Sequence, residues 1–178
     1  LEFTASHPII LRDYGQFLTQ IGDYPAAQTV YQQLIAAAPD DPATYDSLGR
    51  FYVAQGMYAE AIANYTRALQ LDFAESSAEG GYYGVLRRRA DAHIATSDFD
   101  AAIVDYEALL AAGVDVGDIL GILYANRALS RYFNGMLDAA IADAEVALAW
   151  QPDSGLRESL LEWRYARGLN DHNSGRYD

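Results

Sequence analysis

Residues 42–75 read PATYDSLGRFYVAQGMYAEAIANYTRALQLDFAE, and the 34 residues before them, 8–41, read PIILRDYGQFLTQIGDYPAAQTVYQQLIAAAPDD. Set one beneath the other, Gly15, Gly22, Tyr24, Ala27 and Tyr31 fall on Gly49, Gly56, Tyr58, Ala61 and Tyr65. Each copy holds two segments of about 14 residues with apolar positions at helical spacing, such as Ala61, Ile62, Tyr65, Ala68 and Leu69, joined by a glycine-bearing turn. One helical hairpin of this size cannot bury its own apolar face, so neighbouring copies must complete it. The period therefore predicts an all-α stack of antiparallel helix pairs. Small residues let the paired helices approach, with Gly49 expected near Ala61 and with Tyr65 and Leu69 filling the space toward the next copy.

A third copy fits residues 83–116, through Ala90, Phe99, Ala102 and Tyr106, and a fourth fits 121–154, through Ala128, Gly135, Ala140, Ala147 and Pro152. A partial fifth, 155–178, carries Gly168 and a turn at Gly175-Arg176-Tyr177-Asp178. The fullest copy, with Tyr45, Leu48-Gly49, Tyr52, Ala61, Tyr65 and Ala68, resembles a tetratricopeptide repeat and lacks only the closing proline, where Phe73 stands. The resemblance implies a right-handed α-solenoid over residues 1–178, a single domain. It also implies a concave groove, lined by the first helix of each pair, that holds a protein or peptide. The start at Leu1-Glu2-Phe3 and the stop one turn into a repeat suggest a piece of a longer protein, with the helix after Gly155 capping the fourth copy.

Helix breakers fall where the unit needs them: Gln20-Ile21-Gly22-Asp23, Ala54-Gln55-Gly56-Met57, Thr96-Ser97-Asp98-Phe99 and Asn134-Gly135-Met136. Glycine suits the left-handed residue that ends a helix. Pro39-Asp40-Asp41-Pro42 and Pro152-Asp153-Ser154 separate copies, with Asp as N-cap and Pro in the first turn. Beyond the second copy the spacing loosens. The extra residues predict first helices lengthened at their starts, over 118–134 and 156–173, and a loop over Ser76–Gly81.

The composition is 51% hydrophobic, without cysteine, and has a net charge of −13. That balance argues against nucleic acid and anionic membrane partners, which need basic footprints. No apolar run is long enough for a membrane span. A soluble, cytoplasmic domain is expected, with no disulfides and no thiolate metal site.

All twelve basic residues are arginines. Nine of them sit on predicted first helices beside five acids, so those helices read as +4 and the rest of the chain as −17. Arg89 and Arg127 occupy the slot of Tyr14 and Leu48, which faces the partner helix of the same pair. Sixteen residues on, their copies alone carry Asp105 and Asp143. Arg89 with Asp105 and Arg127 with Asp143 are therefore expected as structural ion pairs within a repeat. Arg12, Arg50, Arg87 and Arg88 remain as candidate groove donors, with Arg131 and Arg164 as lesser ones. By the resemblance, the ligand-facing slots also hold Gln16, Asn126, Tyr132, Phe133, Tyr165, His172 and Asn173. Such a groove is polar and arginine-bearing at its start and aromatic at its end, and suits a peptide of acidic character. The family's tail-carboxylate clamp is not met: the best window supplies Arg12, Gln16, Ser47, Gly84 and Arg88.

No catalytic constellation emerges. His7, His93 and His172 stand apart, with His93 in the slot of Tyr52, and Gly80-Gly81-Tyr82-Tyr83-Gly84 lacks the lysine and strand context of a phosphate loop. No cofactor is implied. Two functions stand: a non-catalytic scaffold that binds a peptide or protein in its groove, or a structural or regulatory segment that packs on a neighbouring domain or on copies of itself through its terminal repeat.

Overall fold

The computed structural model describes residues 7–71, 81–152 and 155–174. The Ser76–Gly81 loop (except Gly81), the Asp153-Ser154 cap, the Gly175–Asp178 turn, Phe73 and the Leu1-Glu2-Phe3 start lie outside these. Among the described residues the structure is entirely helical: α1 Pro8–Gln20, α2 Tyr24–Ala37, α3 Pro42–Ala54, α4 Tyr58–Leu69, α5 Tyr82–Ala95, α6 Phe99–Ala111, α7 Gly117–Phe133, α8 Leu137–Trp150 and α9 Leu156–Asn173. None of them is long and apolar enough to cross a membrane. They fall into two compact units, Leu1–Ser97 and Asp98–Asp178, which divide between the two helices of the third repeat.

In the first unit, α1 packs on α2, α3 on α4, and α5 on α4, with α3 also touching α1 and α2. Asp23 and Asp41 cap α2 and α3 by accepting from Ala26 N at 3.2 Å and Ala43 N at 2.9 Å, each just ahead of a first-turn proline. Gly22 and Gly56 close the hairpins at φ +80° and +71°, a conformation that costs side-chain-bearing residues about 1–2 kcal/mol. The core of the first two helix pairs gathers Leu11, Leu18, Ala27, Val30, Tyr31, Leu34, Leu48 and Phe51. Phe51 of α3 lies against the rings of Tyr31 and Tyr24 of α2, at centroid distances of 5.2 and 6.2 Å. Such pairs contribute about 0.5–1.5 kcal/mol beyond the area they bury.

The tyrosines in the repeated slot are among the largest side chains of the core: Tyr31, Tyr65 and Tyr106 are 2%, 1% and 2% exposed. Two of them face the next repeat as expected, Tyr31 against Phe51 and Tyr65 in one cluster with Val85 and Ala92, and these two also meet the glycine of their own repeat. A Cβ on Gly49 would stand 2.3 Å from Tyr65 Cε1, and one on Gly15 would stand 2.8 Å from Tyr31 Cε1. The glycine thus makes room for the tyrosine of its own repeat, and the ring fills the hairpin from within. Tyr14, expected against its partner helix, is instead 51% exposed.

In the second unit, α7 packs on α6 and α8, and α9 packs on α8. Its core joins Ala128 of α7, Ala140, Ile141, Ala144 and Ala147 of α8, and Leu156, Leu160 and Trp163 of α9. The α7 helix starts at Gly117, one residue earlier than the spacing predicts, where a Cβ would meet the Trp150 ring at 2.7 Å.

Candidate functional site

The cleft between the second and third repeats

A cleft of about 340 Å³ opens in the first unit between α3, α4 and α5. Helical spacing builds each wall. Arg50 and Val53 come from α3, Tyr58 and Tyr65 from α4, and Arg88, Asp91, Ala92 and Ala95 from α5. The lining is mostly apolar, with Tyr65 and Ala92 buried and Val53 and Ala95 exposed. Burial pushes the Tyr65 hydroxyl well above the ordinary tyrosine range, so at neutral pH it is a hydrogen-bonding group and not an acid.

Two of the expected groove donors meet here, and they share one carboxylate. Arg88 Nε lies 2.7 Å from Asp46 Oδ1, and Arg50 Nε lies 3.2 Å from Asp46 Oδ2. Asp46 is itself only 9% exposed. Arg88 Nη2 is buried and has no hydrogen-bond partner among the described residues. A buried donor without an acceptor costs about 1–3 kcal/mol. With Asp46 holding both arginines and Asp91 also in the lining, the cleft carries no excess positive charge of its own. The other first-unit candidates stand apart from it. Arg12 reaches Asp13 at 3.9 Å on the surface, Gln16 is half-buried, and Arg87 is exposed.

In the second unit the arginines are struts. Arg127 grips Asp143 with two bonds, Nε to Oδ2 at 2.8 Å and Nη2 to Oδ1 at 2.7 Å, and also reaches Asp100 at 2.8 Å. Arg131 joins the same two carboxylates at 2.7 and 3.0 Å. The Arg127 guanidinium lies over the Tyr124 ring at 4.9 Å. The Tyr124 hydroxyl donates to Glu107 at 2.5 Å and is pushed up to about 12, first by burial and then by that bond. Arg164 pairs with Glu145 at 2.8 Å. Asn126 is half-buried, Tyr132 stacks on Trp163 at 4.7 Å, and Phe133, Tyr165, His172 and Asn173 are exposed. Arg89 donates to Thr66 Oγ1 at 3.1 Å, and Asp105 is buried.

The longer α7 and α9 bring Asp118, Arg157 and Glu158 onto first helices. Those helices then hold ten arginines against seven acids, a surplus of +3 where +4 was expected. Carboxylates of second helices, Asp100, Asp143 and Glu145, offset that surplus at Arg127, Arg131 and Arg164, and the pairings join residues far apart in sequence. Arg88 and Asp46 are 42 positions apart, and Arg127 and Asp100 are 27 apart.

Comparison with known proteins

Residues 6–74 match the family model of the tetratricopeptide repeat. A search of curated proteins finds no match. Among solved structures, the MamA protein is similar at 20% identity and a TM-score of 0.57, over 98% of this chain and 96% of that one. YrrB, described as a tetratricopeptide-repeat protein with an unusual peptide-binding site, is similar at 15% identity and a TM-score of 0.56, over 99% of this chain and 82% of that one. A chain of the APC/C hetero-tetramer Cut9–Hcn1 matches 88% of this chain at 20% identity and a TM-score of 0.51, but this chain spans only 29% of it. At these identities the likeness is one of fold, an all-α helical-repeat solenoid. Residues 6–74 thus match the tetratricopeptide-repeat family, and the likeness to solved repeat structures, one of fold, extends over nearly the whole chain.

Proposed function

We propose that the chain is a non-catalytic scaffold that holds a protein or peptide against the face of its first helices, with the cleft between α3 and α5 as the principal contact. The observation that carries this reading is the cleft itself: an apolar depression with a buried guanidinium nitrogen, Arg88 Nη2, lacking an acceptor. Apolar walls with a few fixed polar groups are the usual make-up of a recognition site. A peptide carbonyl or carboxylate would supply the missing acceptor. The acidic partner suggested by the arginine surplus draws less support, because Asp46 already occupies Arg50 and Arg88.

The test is a peptide-display selection against the protein, followed by affinity measurements on the recovered peptides. Arg50→Glu combined with Arg87→Glu is expected to weaken capture by about tenfold or more, with the helical circular dichroism unchanged. Recovery of no peptide, or capture indifferent to the pair, refutes the reading.

A second reading, packing on a neighbouring domain or on another copy, draws on the aromatic surface of the second unit. Phe133 is 82% exposed and Tyr165 71%. Monomeric behaviour in sedimentation across the working concentration range would remove self-association.

A further inference from the structure

The two interfaces of the first unit draw on the same slots, and among the differences between them is one aromatic ring. In the first interface, Phe51 of α3 lies on Tyr24 and Tyr31 of α2. One period later those tyrosines become Tyr58 and Tyr65 of α4, and both line the cleft. The counterpart of Phe51 on α5, counted from the start of each repeat, is Ala92, also in the cleft wall. The cleft is thus the space that a phenyl group fills in the preceding repeat. A phenylalanine-to-alanine difference at a tyrosine-lined position removes an entire ring, and Ala95 beside it is no larger.

We infer that this cleft is an aromatic-residue receptor: it takes the phenylalanine, tyrosine or tryptophan side chain of a bound peptide, seated on Tyr58 and Tyr65 as Phe51 is seated on Tyr24 and Tyr31. Size agrees. A cavity of about 150 Å³ accepts benzene, so about 340 Å³ holds a ring together with the main chain that carries it. Polarity agrees as well, since the walls are apolar and the guanidinium groups of Arg50 and Arg88 are balanced by the carboxylates of Asp46 and Asp91. An uncharged ring is then favoured over a carboxylate side chain, which would meet two acids along with the two arginines. Arg88 Nη2 donates to the main-chain carbonyl of the same peptide residue, which gives the buried nitrogen the acceptor it lacks. The inference rests on the peptide-binding reading and names the residue that anchors the peptide.

The probe is N-acetyl-phenylalanine amide, with the corresponding leucine and glutamate amides beside it, titrated into the isotope-labelled protein and followed by NMR. Saturable shifts of the Val53, Ala92 and Ala95 methyl signals are expected with the phenylalanine amide. The leucine amide should bind about threefold or more weakly, and the glutamate amide should give no saturable shift. Ala92→Phe supplies the ring from within and is expected to abolish the response. If that variant unfolds, Ala95→Trp blocks the same space from an exposed position. Equal or stronger binding of the glutamate amide, no response to the phenylalanine amide, or a response that survives in a folded blocking variant overturns the inference. Those results leave the scaffold reading standing as long as selected peptides still lose capture on Arg50→Glu with Arg87→Glu, so the two failures are distinguishable.

Discussion

Replacing Gly49 by alanine sets two effects of opposite sign against each other. In an isolated helix the change is favourable by about 1 kcal/mol, because glycine gives up more backbone freedom on folding than alanine does. In α3 the new methyl would stand 2.3, 2.5 and 2.7 Å from three carbons of the Tyr65 ring, against a comfortable carbon–carbon separation of about 3.5–4.0 Å. The ring must retreat by more than an ångström in a core where it is 1% exposed. Overpacking of this kind costs about 1–3 kcal/mol, and three simultaneous short contacts place it at the upper end. The net expectation is a loss of about 2 kcal/mol. With a urea slope of about 2 kcal/mol/M, the unfolding midpoint falls by about 1 M at unchanged slope.

Two further glycines turn this into an ordered series. Gly15→Ala meets Tyr31 at 2.8, 2.9 and 3.2 Å and should cost less than Gly49→Ala. Gly168→Ala on the exposed side of α9 meets nothing within 4 Å and should stabilise by about 0.5–1 kcal/mol. The retreating Tyr65 ring moves toward the cleft it lines, so Gly49→Ala should also weaken binding of the phenylalanine amide. A neutral or stabilising Gly49→Ala, or a Gly15→Ala more damaging than Gly49→Ala, refutes the packing argument.

Ser97 sits at φ 60° where the other hairpin turns place Gly22, Gly56 and Gly135. Ser97→Gly should therefore raise stability by about 0.5–1 kcal/mol in denaturant titration, and a loss would show that the serine is not strained. Asp143→Ala leaves Arg127 and Arg131 short of a carboxylate that is 4% exposed. A loss of about 3–5 kcal/mol is expected, and one under 1 kcal/mol would mean that water replaces it. Tyr124 titrates near 12 when folded and near 10 when unfolded, so the unfolded chain releases its proton first as pH rises. Its contribution to stability is full below about pH 10 and declines as pH climbs toward 12. Tyr124→Phe should reduce the alkaline loss of stability and remove one late-titrating tyrosinate from the absorbance curve, whereas an unchanged curve rejects the assignment.

The sequence by itself determined the repeat: its period, the placement of helices, the glycines at positive φ in the turns and the shared core slot of Tyr31, Tyr65 and Tyr106. These follow from local rules, since spacing decides which face is apolar and only glycine enters the left-handed region cheaply. The Arg127–Asp143 partnership was legible too, because both residues change together between copies within one hairpin. Arg50, Arg87 and Arg88 were marked as candidate groove donors, of which Arg50 and Arg88 line the cleft while Arg87 stands exposed apart from it.

What only the tertiary structure decided is which charges meet and where space is left. Arg88 reaches Asp46 across a repeat boundary, and Asp100 enters the Arg127 and Arg131 cluster from a neighbouring helix. Ion pairing depends on a few ångströms between side chains of different helices, which a linear pattern does not encode. The cleft had one sequence trace, Ala92 in the slot of Phe17 and Phe51, yet an alanine on a helix reads as an ordinary packing residue. Only with α3, α4 and α5 in place does the missing ring become a cavity, because a void is a property of three helices together and not of the residue that leaves it.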